Sequence, residues 1–125
     1  MSRIERSKEK YELLFKTEQK LDPNDPELMS QLQRFIFGEV FYIGKLTDKQ
    51  RELITCTILT VLQTLPQLKA HVNAALNVEV SPLELKEAIY QCAPFIGYPK
   101  TLNAISVVNE VFNQRNITLP LENQC

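Results

Sequence analysis

Apolar residues recur along this chain at helical spacing, and no stretch shows the strict alternation of a half-buried strand. The segment 51–63 carries apolar side chains on more than one side, which is typical of a buried helix. After Pro66, a narrower stripe repeats at three and four residues and indicates an amphipathic helix. The pattern therefore predicts helices over 47–63 and 65–77 that fold back on each other as an antiparallel pair.

The flanking sequence predicts four further helices. They are expected over about 2–20, from 26 onward, from 81 to the Gly97 stop, and from about 99 through 112. Four capping boxes are predicted, at Asn24 with Glu27, Thr47 with Gln50, Thr64 with Gln67, and Ser81 with Glu84. The fold class is therefore expected to be all-α, with about six helices.

Length and hydrophobic content indicate how the chain is organised. With 125 residues and 44% hydrophobic content, it is expected to form a single domain over 1–125. Residues 1–22 are expected to form an N-terminal helical arm, and residues 116–125 a polar tail. Several helices are apolar on more sides than a small interior can bury, which predicts a homo-oligomer.

Charge and cysteine usage exclude several classes of function. The formal charge of -1 gives no basic surface for nucleic acid or an anionic membrane. No apolar run reaches the ~20 residues of a membrane span, and the N-terminal sequence is charged, so a cytoplasmic location is expected. Cys56, Cys92 and Cys125 are odd in number and widely spaced, which indicates buried free thiols rather than a disulfide framework or a metal site.

Two side chains in the central helices are candidates for chemistry. Glu52 is an acid within an apolar helix, and His71 is the only histidine, at the edge of the next helix's apolar stripe. If the chain folds back near Pro66, Glu52 and His71 face each other as an acid and a base. Because His71 lies at an edge, its removal is expected to open little core volume.

Several segments in fixed order carry a family resemblance. They are Phe37–Phe41, Leu46–Ile54, His71–Asn77, the run SPLELKEAI from Ser81, Gly97–Pro99, and Asn103 with Ala104. Over roughly residues 28 to 113 the chain resembles the carboxymuconolactone decarboxylase family. The resemblance implies a helical domain like that of alkyl hydroperoxidase D, assembled as trimers or hexamers.

The related alkyl hydroperoxidase D carries a redox site written Glu-x11-Cys-x2-Cys-x3-His. Counted from Glu52, the two cysteine positions are occupied by Thr64 and Gln67, while the histidine position is His71. A disulfide relay needs a thiolate and a resolving thiol, which neither Thr64 nor Gln67 can supply. A reaction at the single thiol of Cys56 stays open.

Decarboxylation by this family requires no cofactor when an electron sink accepts the negative charge. The resemblance implies His71 as proton donor or enolate partner, Glu52 as the residue that orients it, and Glu39 as a second acidic candidate. The substrate would be a small carboxylated lactone or a related acid. Arg34 and Arg51 could also hold a substrate carboxylate but are left outside the site.

Other roles for these residues stay open. His71 could be a hydrogen-bonded histidine at a helix interface, and Glu52 an ion-pair or helix-cap partner. The corresponding alternative functions are a peroxidase-like antioxidant with peroxiredoxin activity, or a non-catalytic oligomeric member of the family.

Overall fold

The computed structural model describes residues 1–122, and all regular structure in that range is helical. The helices are α1 (Arg3–Phe15), α2 (Pro26–Gly38), a short 3-10 helix (Val40–Tyr42), α3 (Asp48–Leu62), α4 (Leu65–Asn77), α5 (Pro82–Ile96) and α6 (Tyr98–Gln114). The all-α class with about six helices is thus confirmed, and the bounds of α3 and α4 agree with the prediction to within one residue. No helix within residues 1–122 is long and apolar enough to cross a membrane.

The chain divides into two compact units, the first spanning Met1–Asp48 and the second beginning at Lys49. In the first unit α1 packs closely against α2 at Gly38, where an added Cβ would lie 2.5 Å from the carbonyl oxygen of Arg3. The Arg6 side chain donates from Nε to the Gly38 carbonyl oxygen at 2.9 Å. Helix α1 ends at Phe15, before the expected 20, because Lys16 adopts a left-handed conformation with φ of 58°.

The second unit has its own hydrophobic core. The completely buried residues of this core include Cys56 of α3, Leu68 and Val72 of α4, Leu85 and Ile89 of α5, and Val108 and Phe112 of α6. Helix α6 lies closest to α4 and α5. Ile117 and Leu119 also pack against this core, so the described part of the C-terminal segment is not only polar. Its last residues, 123–125, lie outside the described range.

Capping was only partly predictable from the sequence. The box at Ser81 and Glu84 is confirmed, since each side chain accepts a hydrogen bond from the other residue's backbone N–H at 3.0 Å. The box at Asn24 was wrong, because Asp25 is the N-cap residue of α2 and makes no side-chain cap bond. The box at Thr64 was also wrong, because its hydroxyl donates backward to the Leu59 carbonyl oxygen at 3.5 Å.

Side-chain bonds hold the bend between α3 and α4 against α6. Gln63 sits at the bend with a left-handed φ of 60°. Its Nε2 donates to the carbonyl oxygens of Thr60 at 2.7 Å and Lys100 at 3.0 Å, and its Oε1 accepts from Asn103 Nδ2 at 3.0 Å. These three bonds tie the bend to the end of α3 and to α6.

Candidate proton-transfer site

Glu52 of α3 and His71 of α4 are in direct contact. Nδ1 of His71 lies 2.8 Å from Oε1 of Glu52 and 3.1 Å from Oε2. The Glu52 side chain is 0% exposed, whereas the His71 side chain is 17% exposed. The carboxylate is therefore shut off from solvent, whereas the His71 side chain is partly exposed.

The positions of the two residues in their helices explain the contact. Glu52 lies about one turn into α3, and His71 lies near the middle of α4. Such distant parts of the two helices can meet only if the chain folds back at the bend that Gln63 holds.

An ion pair between Lys49 and Glu84 at 3.1 Å also ties the start of α3 to the start of α5. The hydrogen bond from the Ser81 backbone and the Lys49 charge keep the pKa of Glu84 below its usual range.

The contact also determines how the imidazole can work. An ionised carboxylate can only accept hydrogen bonds, so with Glu52 in that form Nδ1 of His71 is the donor in this contact. Proton transfer to or from a bound molecule would therefore use Nε2.

Cys56 lies one helical turn beyond Glu52 on α3 and is completely buried. Burial, and secondly the negative charge of Glu52, strongly raise the pKa of the Cys56 thiol. The thiol therefore stays protonated at neutral and mildly alkaline pH, where a peroxidase would need a thiolate. Burial also raises the pKa of Cys92, whose Sγ donates to the Ala88 carbonyl oxygen. Cys125 lies beyond the described residues.

Cys56 is accordingly expected to be unreactive in the folded protein. After iodoacetamide treatment at pH 8, peptide mass mapping should find Cys56 unmodified in the native protein and fully alkylated in the presence of denaturant. We expect this difference because the pKa of Cys56 is raised in the folded protein, so its thiol is still protonated at pH 8 and does not attack iodoacetamide. Rapid alkylation of native Cys56 would contradict this description of the site.

The other predicted site residue, Glu39, belongs to the first unit. It follows α2 directly and forms an ion pair with Arg3 of α1, with 2.9 Å between Oε1 and Nη1. Its carboxylate is partly exposed, and its catalytic role stays a prediction. Within residues 1–122 no three of the His, Cys, Asp and Glu side chains come together as a metal-binding group.

Sequence reasoning did not find the role of Gln63 and Asn103. The available signal was Asn103, which lies in one of the segments that carry the family resemblance. The hydrogen bond between Asn103 and Gln63 joins two positions 40 residues apart, and a local sequence pattern cannot predict a bond over that separation. Gln63 lies at the bend that precedes α4, the helix of His71, and Asn103 of α6 bonds to Gln63.

Comparison with known proteins identifies the family to which the chain is similar. The model of the carboxymuconolactone decarboxylase family matches residues 26–110. A 4-carboxymuconolactone decarboxylase of Acinetobacter baylyi is 31% identical over 97 residues, which cover 78% of this chain and 72% of that protein. A nitrosuccinic acid decarboxylase of Metarhizium robertsii is 28% identical over 82 residues, covering 66% of this chain and 57% of that protein.

A third relative carries no assigned activity. An uncharacterised 15.0 kDa protein of Paracoccus denitrificans is 31% identical over 93 residues, covering 73% of this chain and 69% of that protein. The matched range, 26–110, spans the positions of Glu52 and His71. Because the family model matches more than half of the chain, the chain belongs to the carboxymuconolactone decarboxylase family.

Proposed function

We propose that the protein is a cofactor-independent decarboxylase that acts on a small carboxylated lactone or a related acid. His71 and Glu52 form its proton-transfer pair. The observation that carries the proposal is the 2.8 Å contact between His71 Nδ1 and the fully buried Glu52 carboxylate. The two decarboxylases among the relatives support the reaction class.

The proposed reaction needs one proton donor. The bond between the substrate carboxylate and its carbon breaks, carbon dioxide leaves, and the electron pair is delocalised as an enolate. The imidazolium of His71 then donates the proton on Nε2 to carbon, and solvent later restores it. Glu52 accepts from Nδ1 throughout, so it stabilises the imidazolium before the transfer and keeps the ring in place after it.

The peroxidase alternative lacks support in the residues that the structure describes. Thr64 and Gln67 stand where the two thiols of the related redox site would be, and Cys56 is buried with a raised pKa. A thiol in that state attacks peroxide slowly.

The proposal is tested by offering the purified protein different substrates in parallel. One reaction contains 4-carboxymuconolactone, a second contains nitrosuccinic acid, and a third contains an organic hydroperoxide with a dithiol reductant. Release of carbon dioxide from either acid, without consumption of the hydroperoxide, is the expected result. Hydroperoxide consumption that disappears in Cys56→Ser would instead identify a thiol enzyme, and a folded protein inactive on all three would count against the proposal.

The protein is also proposed to work as a homo-oligomer, a trimer or a hexamer. An outer face of α3 supports this, because its large apolar side chains are exposed, namely Ile54, Ile58, Val61 and Leu62. Water contact with such a face is unfavourable, and association would remove it. Sedimentation as a stable 14.4 kDa monomer at micromolar concentration would contradict the assembly. A cytoplasmic location stays a prediction.

A further inference from the structure

We propose that a cleft within the first unit, between α1, α2 and the segment that joins them, binds the carboxylate of a small organic acid through Arg34. This inference goes beyond the proposed decarboxylase and does not depend on it. All the residues that line the cleft lie within 4–34.

The cleft consists of two adjoining hollows. The smaller has a volume of about 280 Å³ and the larger about 460 Å³. Leu21, Ser30 and Arg34 line both hollows, so the Arg34 side chain lies at their junction. The volume suits a compact acid rather than a folded partner.

Arg34 is half-buried but has no partner among the described residues. No hydrogen bond or ion pair found within residues 1–122 involves its guanidinium group. A cation that is partly removed from water without a counter-ion costs free energy, and an anionic ligand would recover it. The planar guanidinium matches a carboxylate with two parallel hydrogen bonds, which makes a carboxylate the natural ligand.

The charges of the walls assign the carboxylate to the smaller hollow. Its lining contains two cations, Arg34 and Lys8, and no acid. Glu27 lines the larger hollow, where its negative charge would repel an anion. Lys8 also borders a third hollow together with Glu12 and Glu18, so Arg34 is the principal cation for the ligand.

The other residues that line the smaller hollow indicate what the rest of the ligand should be. The amide Nε2 of Gln33 is already engaged with the Lys20 carbonyl oxygen at 3.2 Å, and the Ser7 hydroxyl donates to the Ile4 carbonyl oxygen at 3.0 Å. Leu21 and Ile4 contribute exposed apolar surface, 54% and 50% exposed respectively. A ligand with one carboxylate and a short apolar body fits these groups.

Butyrate is a suitable probe, titrated into the full-length protein at constant ionic strength with chloride as the balancing anion. Amide chemical shifts of the lining residues should change saturably, with a dissociation constant in the millimolar range. Arg34→Gln is expected to weaken butyrate binding at least ~10-fold, because the paired charge-assisted hydrogen bonds are lost. Lys45→Gln, which removes the same charge at an exposed position of the first unit, should change the affinity less than ~2-fold.

Two results of this titration would overturn the proposal. One is the absence of any saturable shift at butyrate concentrations of tens of millimolar, and the other is an equal loss of affinity in Arg34→Gln and Lys45→Gln, which would mean a diffuse charge effect. Arg34→Lys keeps the charge but not the planar fork, and should bind butyrate with intermediate affinity. If Arg34→Gln does not fold, Arg34→Lys still tests the proposal. Unchanged affinity for butyrate in Arg34→Lys would exclude binding through two parallel hydrogen bonds from the guanidinium.

Discussion

His71→Ala is expected to lower the free energy of unfolding by about 3 kcal/mol. The substitution leaves the Glu52 carboxylate, which is 0% exposed, without the Nδ1 donor that lies 2.8 Å from it. Removing one partner of a buried pair typically destabilises by ~3–5 kcal/mol, and the lower end applies because water can enter beside the partly exposed His71 position. Urea unfolding of both proteins at neutral pH measures the difference.

A second substitution separates this charge effect from lost packing. Glu52→Gln in the His71→Ala background replaces the unpaired carboxylate with a neutral amide of nearly the same shape. The double variant should therefore be more stable than His71→Ala alone. If the two substitutions acted independently and each destabilised the protein, the double variant would instead be the less stable. The explanation fails if His71→Ala costs less than ~1 kcal/mol, or if the double variant is the less stable of the two.

His71→Asn is expected to lower kcat for the decarboxylation at least ~100-fold while leaving the protein folded. The asparagine amide can still donate a hydrogen bond toward Glu52, but it cannot exchange a proton with a carbon centre near neutral pH. The free energy of unfolding should therefore change by less than ~1.5 kcal/mol, because the buried carboxylate keeps a donor. The initial rate of carbon dioxide release, measured on protein of verified helicity, gives the effect on kcat.

Gln67→Ala is the matched control on the same helix. Gln67 is exposed and stands where the related redox proteins have their second cysteine. Its removal should leave the rate of carbon dioxide release within ~2-fold of the parent protein. An equal rate loss in Gln67→Ala and His71→Asn would show that any change in α4 disturbs the enzyme, and would remove the case for His71 as the proton donor.

The helices were predictable because their signals are local. The apolar repeats of α3 and α4 span several turns, and Pro66 and the Ser81 capping box mark helix starts directly in the sequence. The proximity of Glu52 and His71 could be anticipated from the fold-back at the bend. In the structure Nδ1 of His71 and Oε1 of Glu52 are 2.8 Å apart, which is hydrogen-bond distance, whereas helix geometry alone predicted only that the two side chains would be near each other.

Features that depend on tertiary contacts could not be predicted. The edge position of His71 in its stripe indicated that removing it would open little core volume, but the edge position carries no information about the buried carboxylate that His71 contacts. Likewise, the backward bond of Thr64 depends on how α3 ends. The raised pKa of Cys56 depends on complete burial beside Glu52, which a spacing of four residues does not reveal.

The role of His71 as proton donor is tested most directly by running the decarboxylation of 4-carboxymuconolactone in D2O. A fixed imidazole delivers its proton to one face of the enolate, so the parent protein should place one deuterium on the protonated carbon with a single stereochemistry. Any residual product formed by His71→Asn should carry deuterium equally on both faces, because solvent then supplies the proton. Deuterium on both faces in the parent reaction, or the same single stereochemistry and rate with His71→Asn, would contradict the proton transfer from His71.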